Sequence, residues 1–263
     1  MGAAAHEELA EINEGLVRMA RLAGSAMGRA TTALLDADLQ LAESVIAADE
    51  ALDLLQRQVE ERAIAVLEQR QPVGEELRTV VTALRVSSSL ERAGDLAQHV
   101  AKLARLRYPD AVVPDDLHST VLDMGQLAQR LMAKAADVII TQDAKEAARL
   151  EAEDDIMDDL HRVLFQHLID RNWNHGVETA VDVTLAGRFY ERFADHAVTA
   201  AGRISVLAAA GGTTALTSIE PLSSWDFADT EDPGASPRHA APSDPPAGDR
   251  PRRRAWSWPR RRA

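Results

Sequence analysis

Two stretches of this sequence, LERAGDLAQHV (Leu90–Val100) and YERFADHAVTA (Tyr190–Ala200), share the pattern Glu-Arg-x-x-Asp at a separation of 100 residues. The apolar residues around both patterns recur every three or four positions, which predicts helices with one face in a core. Residues at i and i+4 lie on the same face of a helix, about one turn apart. Each stretch therefore places two carboxylates together: Glu91 with Asp95, and Glu191 with Asp195.

A second acidic repeat lies one predicted helix before each of these patterns. The segment Asp49–Asp53 (DEALD) matches Asp154–Asp158 (DDIMD) at an offset of 105 residues. Asp38 and Asp143 match at the same offset, where the two helices begin. Self-similarity at a nearly constant offset indicates an internal duplication. The chain is therefore predicted to contain two three-helix units, each with acidic pairs on its second and third helices.

Composition and periodicity predict an all-α fold. Ala, Leu, Glu and Arg are frequent, and aromatic residues make up only 4% of the chain, which favours helices over strands. Apolar stripes separated by polar or Pro/Gly breaks predict six long helices, at 9–34, 39–70, 75–108, 117–140, 144–170 and 177–210. We expect two tandem three-helix bundles followed by a disordered Pro- and Arg-rich tail, with boundaries at 1–110, 115–210 and 211–263.

The distribution of charge restricts the partners of this chain. Residues 1–210 carry 21 Lys and Arg against 35 Asp and Glu, within a chain whose net charge is −13. An acidic body argues against general nucleic-acid binding, which needs cations to contact the phosphates. The chain ends in PRRRAWSWPRRRA (251–263). Arginine and tryptophan together suit anionic lipid or nucleic acid, but we interpret this tail as an extension outside the fold.

Several functional classes lack their sequence signals. There is no cysteine, which excludes a disulfide framework and fits a reducing compartment. No stretch approaches about eighteen uncharged apolar residues, and the N-terminus has no signal-peptide pattern, so we expect membrane contact only through partners. The motifs GxGxxG, GxxxxGK[ST], GxSxG and HExxH do not occur. A glycosidase-type acid pair would need one asymmetric cleft, and we predict that the chain is not an enzyme.

The acidic pairs suggest a cation site. If the second and third helices of a unit face each other, four carboxylates converge and require protons or a cation to offset their repulsion. Ferritin-type di-metal sites add a histidine at i+3, which neither Glu91 nor Glu191 has. The repeated pattern is therefore oxygen-only and favours Mg²⁺, Mn²⁺, Ca²⁺ or iron, with Zn²⁺ as a further candidate.

Two alternatives to this hypothesis stay open. A carboxylate-bridged metal oxidase of ferritin type would use the same acids for iron chemistry. In a purely structural helical scaffold, the acidic pairs would be a solvated face with Arg92 and Arg192 as neighbouring partners.

The third helix of each unit resembles one known family. The run ELRTVVTALRVSSSLERAGDLAQHVAKLA (Glu76–Ala104) is similar to the third helix of the PhoU family, and AGRFYERFADHAVTAAGRI (Ala186–Ile204) is similar to its second copy. The resemblance extends over residues 8–210 and includes the Gln71-Pro72 connector. It implies two similar three-helix bundles that bind multinuclear metal clusters through the acidic motifs. It also implies a cytoplasmic, often dimeric protein that is not an enzyme.

The resemblance further implies a regulatory function and specific metal ligands. PhoU proteins are negative regulators of the phosphate-starvation response and of phosphate uptake. They act between the PstSCAB phosphate transporter, through its PstB ATPase, and the PhoR sensor kinase. The metal ligands carried over are Glu91, Asp95, Glu191 and Asp195, with Asp49, Asp53, Asp154 and Asp158 as weaker candidates. Ala194 stands where the first copy has Gly94, so we expect different packing around the second pair.

Overall fold

The computed structural model describes residues 3–211, and the side chains from Glu7 onward. In this part of the chain there are six α-helices and no strand, which confirms the predicted all-α class. The predicted disordered tail lies outside the described residues, apart from its first position. The helices are α1 (Ala3–Leu35), α2 (Leu39–Arg70), α3 (Glu75–Arg107), α4 (His118–Thr141), α5 (Ala144–Leu168) and α6 (Gly176–Ala209).

Local sequence signals explain where the helices begin and end. The side chains of Asp38 and Asp143 accept hydrogen bonds from the first-turn backbone N–H groups of α2 and α5, as N-cap residues do. Gln71 ends α2 in the left-handed conformation, with a φ of 49°, directly before Pro72. The predicted bounds agree with the structure to within two residues at these ends. The largest difference is at the start of α1, which begins at Ala3 instead of the predicted Leu9, and α5 ends two residues early, at Leu168.

Contacts within and between the two halves join the helices into one body. In each half the three helices pack on one another, and across the halves α1 packs on α4 while α3 packs on α6. Gly24 lies against Met132, and Gly125 lies against Thr31, so α1 and α4 run antiparallel. Side chains from all six helices contribute to one continuous apolar core. This packing holds the third helix of each half against the other, with the second helices on the flanks.

None of the helices in the described range is long and apolar enough to cross a membrane.

Candidate functional site

The first acidic cluster consists of Asp49 and Asp53 on α2 and Glu91 and Asp95 on α3, all half-buried. Burial raises the pKa of Asp49, and the carboxylates of Asp53 and Asp95 raise it further. Burial also raises the pKa of Glu91, and the carboxylates of Asp95 and then Asp53 make smaller contributions in the same direction. Carboxylates that disfavour each other's ionisation must lie close together. The structure therefore brings together the four acids that the sequence placed on facing helices.

The second acidic cluster is the equivalent set in the other half: Asp154 and Asp158 on α5, and Glu191 and Asp195 on α6. Burial raises the pKa of Asp154 to about 6, and Asp195 and Asp158 are the next largest causes. Burial and then Glu191 raise the pKa of Asp195. Asp158 and Asp195 are exposed, so this cluster is more open to solvent than the first.

Basic side chains near the clusters offset only part of this repulsion. Arg188 forms an ion pair with Glu191, and Lys102 offsets part of the rise in the pKa of Asp49 that burial and the neighbouring carboxylates cause. Arg92 and Arg192 were the ion-pair partners expected for a solvated face. Neither of them forms an ion pair with any residue of the described range. The two clusters thus remain net acidic, which is the condition under which an added cation or proton stabilises a group of carboxylates.

The fit to a metal ion is only partial. The donor chemistry suits a hard cation, because the repeated ligands are all carboxylate oxygens. However, between residues 7 and 211 no three His, Asp or Glu side chains converge closely enough to hold a metal ion. The eight predicted ligands thus form two electrostatic clusters but no closed coordination shell, and their role as ligands stays a prediction.

The two clusters differ in the packing behind them, as the sequence suggested. A Cβ at Gly94 would overlap the side chain of Leu52 and lie 3.4 Å from Asp49 Oδ1. A cavity of about 50 Å³ lies beside this glycine, lined in part by Asp49 and Gln98. In the second half the equivalent pair is Ala194 and Met157, both fully buried. The flexible side chain of methionine fills irregular space, so the second half accommodates the extra methyl group.

Sequence reasoning did not single out His161, which lies one turn after Asp158 on α5. Its imidazole packs against α6 at Gly187, one turn before Glu191. Its Nε2 atom is buried and has no hydrogen-bond partner among the described residues. The available signal was the spacing of Asp158 and His161, which are three residues apart and therefore lie on the same face of α5. The first half has Gln56 at the equivalent position, so His161 is not part of the repeated pattern.

A family model decides what this duplicated arrangement is. The PhoU domain model matches the chain twice, at residues 16–104 and 121–204. Each match includes a second helix and a third helix that carry one acidic cluster. The chain belongs to the PhoU family. This confirms the family resemblance that the two Glu-Arg-x-x-Asp helices indicated.

Individual PhoU proteins are similar to this chain over most of their own length. A "Phosphate-specific transport system accessory protein PhoU homolog 2" from Mycobacterium tuberculosis is 48% identical over 204 residues, which cover 78% of this chain and 96% of the relative. Homolog 1 from Mycobacterium leprae is also 48% identical, over 78% of this chain and 92% of the relative. The crystal structure of PhoU from Pseudomonas aeruginosa matches with a TM-score of 0.68 at 25% identity, over 77% of this chain and 98% of that one.

Proposed function

We propose that this chain is an accessory protein of a phosphate-specific transport system. The observation that carries the proposal is the 48% identity to the Mycobacterium tuberculosis relative over 96% of that relative's length. A helical fold by itself supports many functions, so the proposal rests on this similarity and not on the architecture. The proposed role is non-enzymatic.

In its full form, the proposal is an adaptor with two partners. One is the ATPase of the transporter, of the PstB type, and the other is a sensor histidine kinase of the PhoR type. When phosphate is plentiful, the chain conveys the state of the transporter to the kinase and represses the phosphate-starvation response and phosphate uptake. Such transfer requires that the adaptor bind different states of a partner with different affinities. A cytoplasmic location and a homodimeric state belong to the same proposal.

A divalent metal bound at the acidic clusters is a second part of the proposal. It is supported by the raised pKa values of Asp49, Glu91, Asp154 and Asp195, each of which has burial as its largest cause and neighbouring carboxylates next. A cation would replace the protons that these carboxylates otherwise retain. Iron, Mn²⁺, Mg²⁺ and Zn²⁺ are the candidates, and oxygen ligands alone do not select among them. The adaptor function does not depend on this metal.

Partner capture and phosphate control together test the adaptor. Tagged full-length chain is expected to retain the transporter ATPase and the kinase from a lysate of its own organism. Deletion of its gene is expected to switch on phosphate-starvation genes in phosphate-rich medium, with repression restored by the wild-type gene. Capture of neither partner, together with intact phosphate control in the deletion strain, would remove the basis of the proposal.

The two alternatives have distinct outcomes. Aerobic turnover of ferrous iron by the purified chain, lost in Glu91→Ala, would favour the ferritin-type oxidase. Absence of any stabilisation by metal would favour the scaffold interpretation of the acidic pairs, while the adaptor role would still be judged by partner capture.

A further inference from the structure

The line of contact between α3 and α6 on the protein surface, here called the α3–α6 seam, carries exposed arginines although the body as a whole is acidic. Arg203 Nη1 of α6 donates hydrogen bonds to the Arg85 carbonyl oxygen, at 2.6 Å, and to Ser89 Oγ, at 2.9 Å, both on α3. Further along, the rings of His99 and Phe189 stack at 5.3 Å. These contacts fix two antiparallel helices in one register.

The register places the arginines of both Glu-Arg-x-x-Asp motifs at the seam. Between the Arg203 and Phe189 contacts, Arg92 of α3 lies opposite the turn of α6 that contains His196. The pKa of the half-buried His196 is lowered by burial first and then by Arg192, Arg92 and Arg203. Three guanidinium groups from two helices are thus close enough to one imidazole to act on it electrostatically.

The arginines of the two motifs are free to bind another molecule. Arg92 and Arg192 are exposed, and neither forms a hydrogen bond or an ion pair with any residue in the described part of the chain. Arg92 acts electrostatically on Glu91, and Arg192 acts on Asp195, but neither arginine forms an ion pair with these acids. An exposed guanidinium retains its five donors for an external carboxylate or phosphate.

We propose that the α3–α6 seam, through Arg92, Arg192 and Arg203, is a docking surface for an acidic peptide segment of a partner protein. The main argument for this occupant is charge complementarity. Residues 1–210 hold 21 basic against 35 acidic residues, so an acidic segment is repelled by the body as a whole and attracted at the seam. Such a pattern of attraction and repulsion selects one docking position.

The spacing of the arginines suits a chain of carboxylates better than one small anion. The register of the seam sets Arg92 and Arg192 about five residues apart along it, or roughly 7.5 Å at 1.5 Å per residue. Carboxylates at i and i+2 of an extended segment are separated by about 6.6 Å, which is close to this spacing. A single phosphate would have to draw both long side chains inward and would lose their conformational freedom.

The probe for this surface is a fluorescein-labelled (Ser-Glu)₅ peptide, measured by fluorescence anisotropy, with (Ser-Gln)₅ as the uncharged control. The full chain is used, in a background in which Arg252–Arg254 and Arg260–Arg262 are replaced by serine, so that the charge of these six arginines does not contribute to the attraction of an acidic peptide. Arg92→Gln/Arg192→Gln is compared with Arg57→Gln/Arg130→Gln. The second pair changes the same charge at exposed positions of α2 and α4. Melting temperatures check that all variants fold.

We expect the seam variant to weaken peptide binding at least tenfold and the control variant to change it less than twofold. Equal losses in the two variants, or no loss in either, would overturn the proposal. Displacement of the peptide by inorganic phosphate at constant ionic strength would also overturn it, in favour of a small-anion site.

The biological meaning of this surface rests on the proposed adaptor function, but the two proposals fail separately. If the peptide does not bind while the chain still captures the ATPase and the kinase, the docking surface is wrong and the adaptor stands. If the peptide binds at the seam and neither partner is captured, the adaptor is wrong and the docking surface stands.

Discussion

Tyr190 donates a hydrogen bond to Thr31 Oγ1 over 3.0 Å, and both side chains are buried. Thr31 in turn donates to the carbonyl oxygen of Met27 at 2.8 Å. This short network joins α6 of the second half to α1 of the first. Burial raises the pKa of the Tyr190 hydroxyl, so the group stays a neutral donor. The repeat-equivalent residue is Leu90, and the link therefore has no counterpart in the first half.

Removal of the Tyr190 hydroxyl should destabilise the fold. Tyr190→Phe is expected to cost about 1–2 kcal/mol, since the Thr31 oxygen loses a buried donor. Thr31→Val should cost about 1–3 kcal/mol, because the tyrosine hydroxyl is left buried without an acceptor. Chemical denaturation of the single and double variants gives the coupling energy. Tyr108→Phe, at an exposed tyrosine, is the control and should leave the free energy of unfolding unchanged. Additive losses in the double variant would contradict the network.

Gly94 should resist substitution unless its neighbour changes too. Gly94→Ala is expected to lower stability by about 1–3 kcal/mol, because the new methyl group overlaps Leu52 in a packed core. Leu52→Met in the same chain should recover part of the loss, as the second half already combines Ala194 with Met157. Gly202→Ala is the control, since its Cβ meets no atom within 4 Å. It should stabilise the helix by up to about 1 kcal/mol. A Gly94→Ala variant as stable as this control would contradict the packing argument.

Asp154 should make the metal-free protein sensitive to pH between about 4 and 6. Its pKa is raised in the folded state from 3.8 to about 6, so the fold binds the proton more tightly than the unfolded chain does. Its contribution to stability is therefore greatest below the unfolded pKa and is lost as pH rises through the folded pKa. The melting temperature of Asp154→Asn, measured in chelator, should match wild type near pH 4 and exceed it increasingly up to pH 6. Asp123→Asn, at an exposed carboxyl on α4, should show a smaller gain. Equal gains at both positions would contradict the prediction.

Metal addition should stabilise the full-length chain if the acidic clusters are metal sites. A metal at about 100 times its Kd adds about 2.7 kcal/mol, which corresponds to a rise of roughly 5–10 °C for a body of this size. Glu91→Gln/Asp95→Asn should remove the stabilisation by metal bound at the first cluster. Adding Glu191→Gln/Asp195→Asn should remove the remaining stabilisation by metal. The control, Glu43→Gln/Asp123→Asn, changes exposed acids outside the clusters. A response to Mn²⁺, Mg²⁺, Fe²⁺ or Zn²⁺ that survives loss of both pairs would place the metal elsewhere.

The helices were predictable from the sequence because their signals are local. The N-cap residues Asp38 and Asp143 are followed by apolar residues at helical spacing, and both signals act within a few residues of the chain. The Gln71-Pro72 break is equally local, since proline cannot continue the hydrogen-bond ladder. The pairing of acids at i and i+4 follows from helix geometry alone. For these reasons the six helices and the members of both acidic clusters could be predicted from the sequence.

Contacts between helices were not predictable in the same way. Asp154 and Asp158 were matched by repetition, but the shift in the pKa of Asp154 depends on burial and on Asp195 of another helix. Sequence also suggested Arg92 as a partner of the acids, and it does act electrostatically on Glu91, but it also acts on His196 of α6 across the seam. Periodicity assigns a residue to a face of its helix, but it does not say which neighbouring helix that face meets.

The sequence by itself determined the all-α class, the duplication and the family, because each rests on patterns within single helices that recur along the chain. Tertiary structure alone decided that α1 meets α4 and α3 meets α6. It thereby created the Tyr190–Thr31 bond and gathered arginines from both halves at one seam. Burial and electrostatic energy depend on distances between residues far apart in sequence. Those distances exist only after the helices have packed.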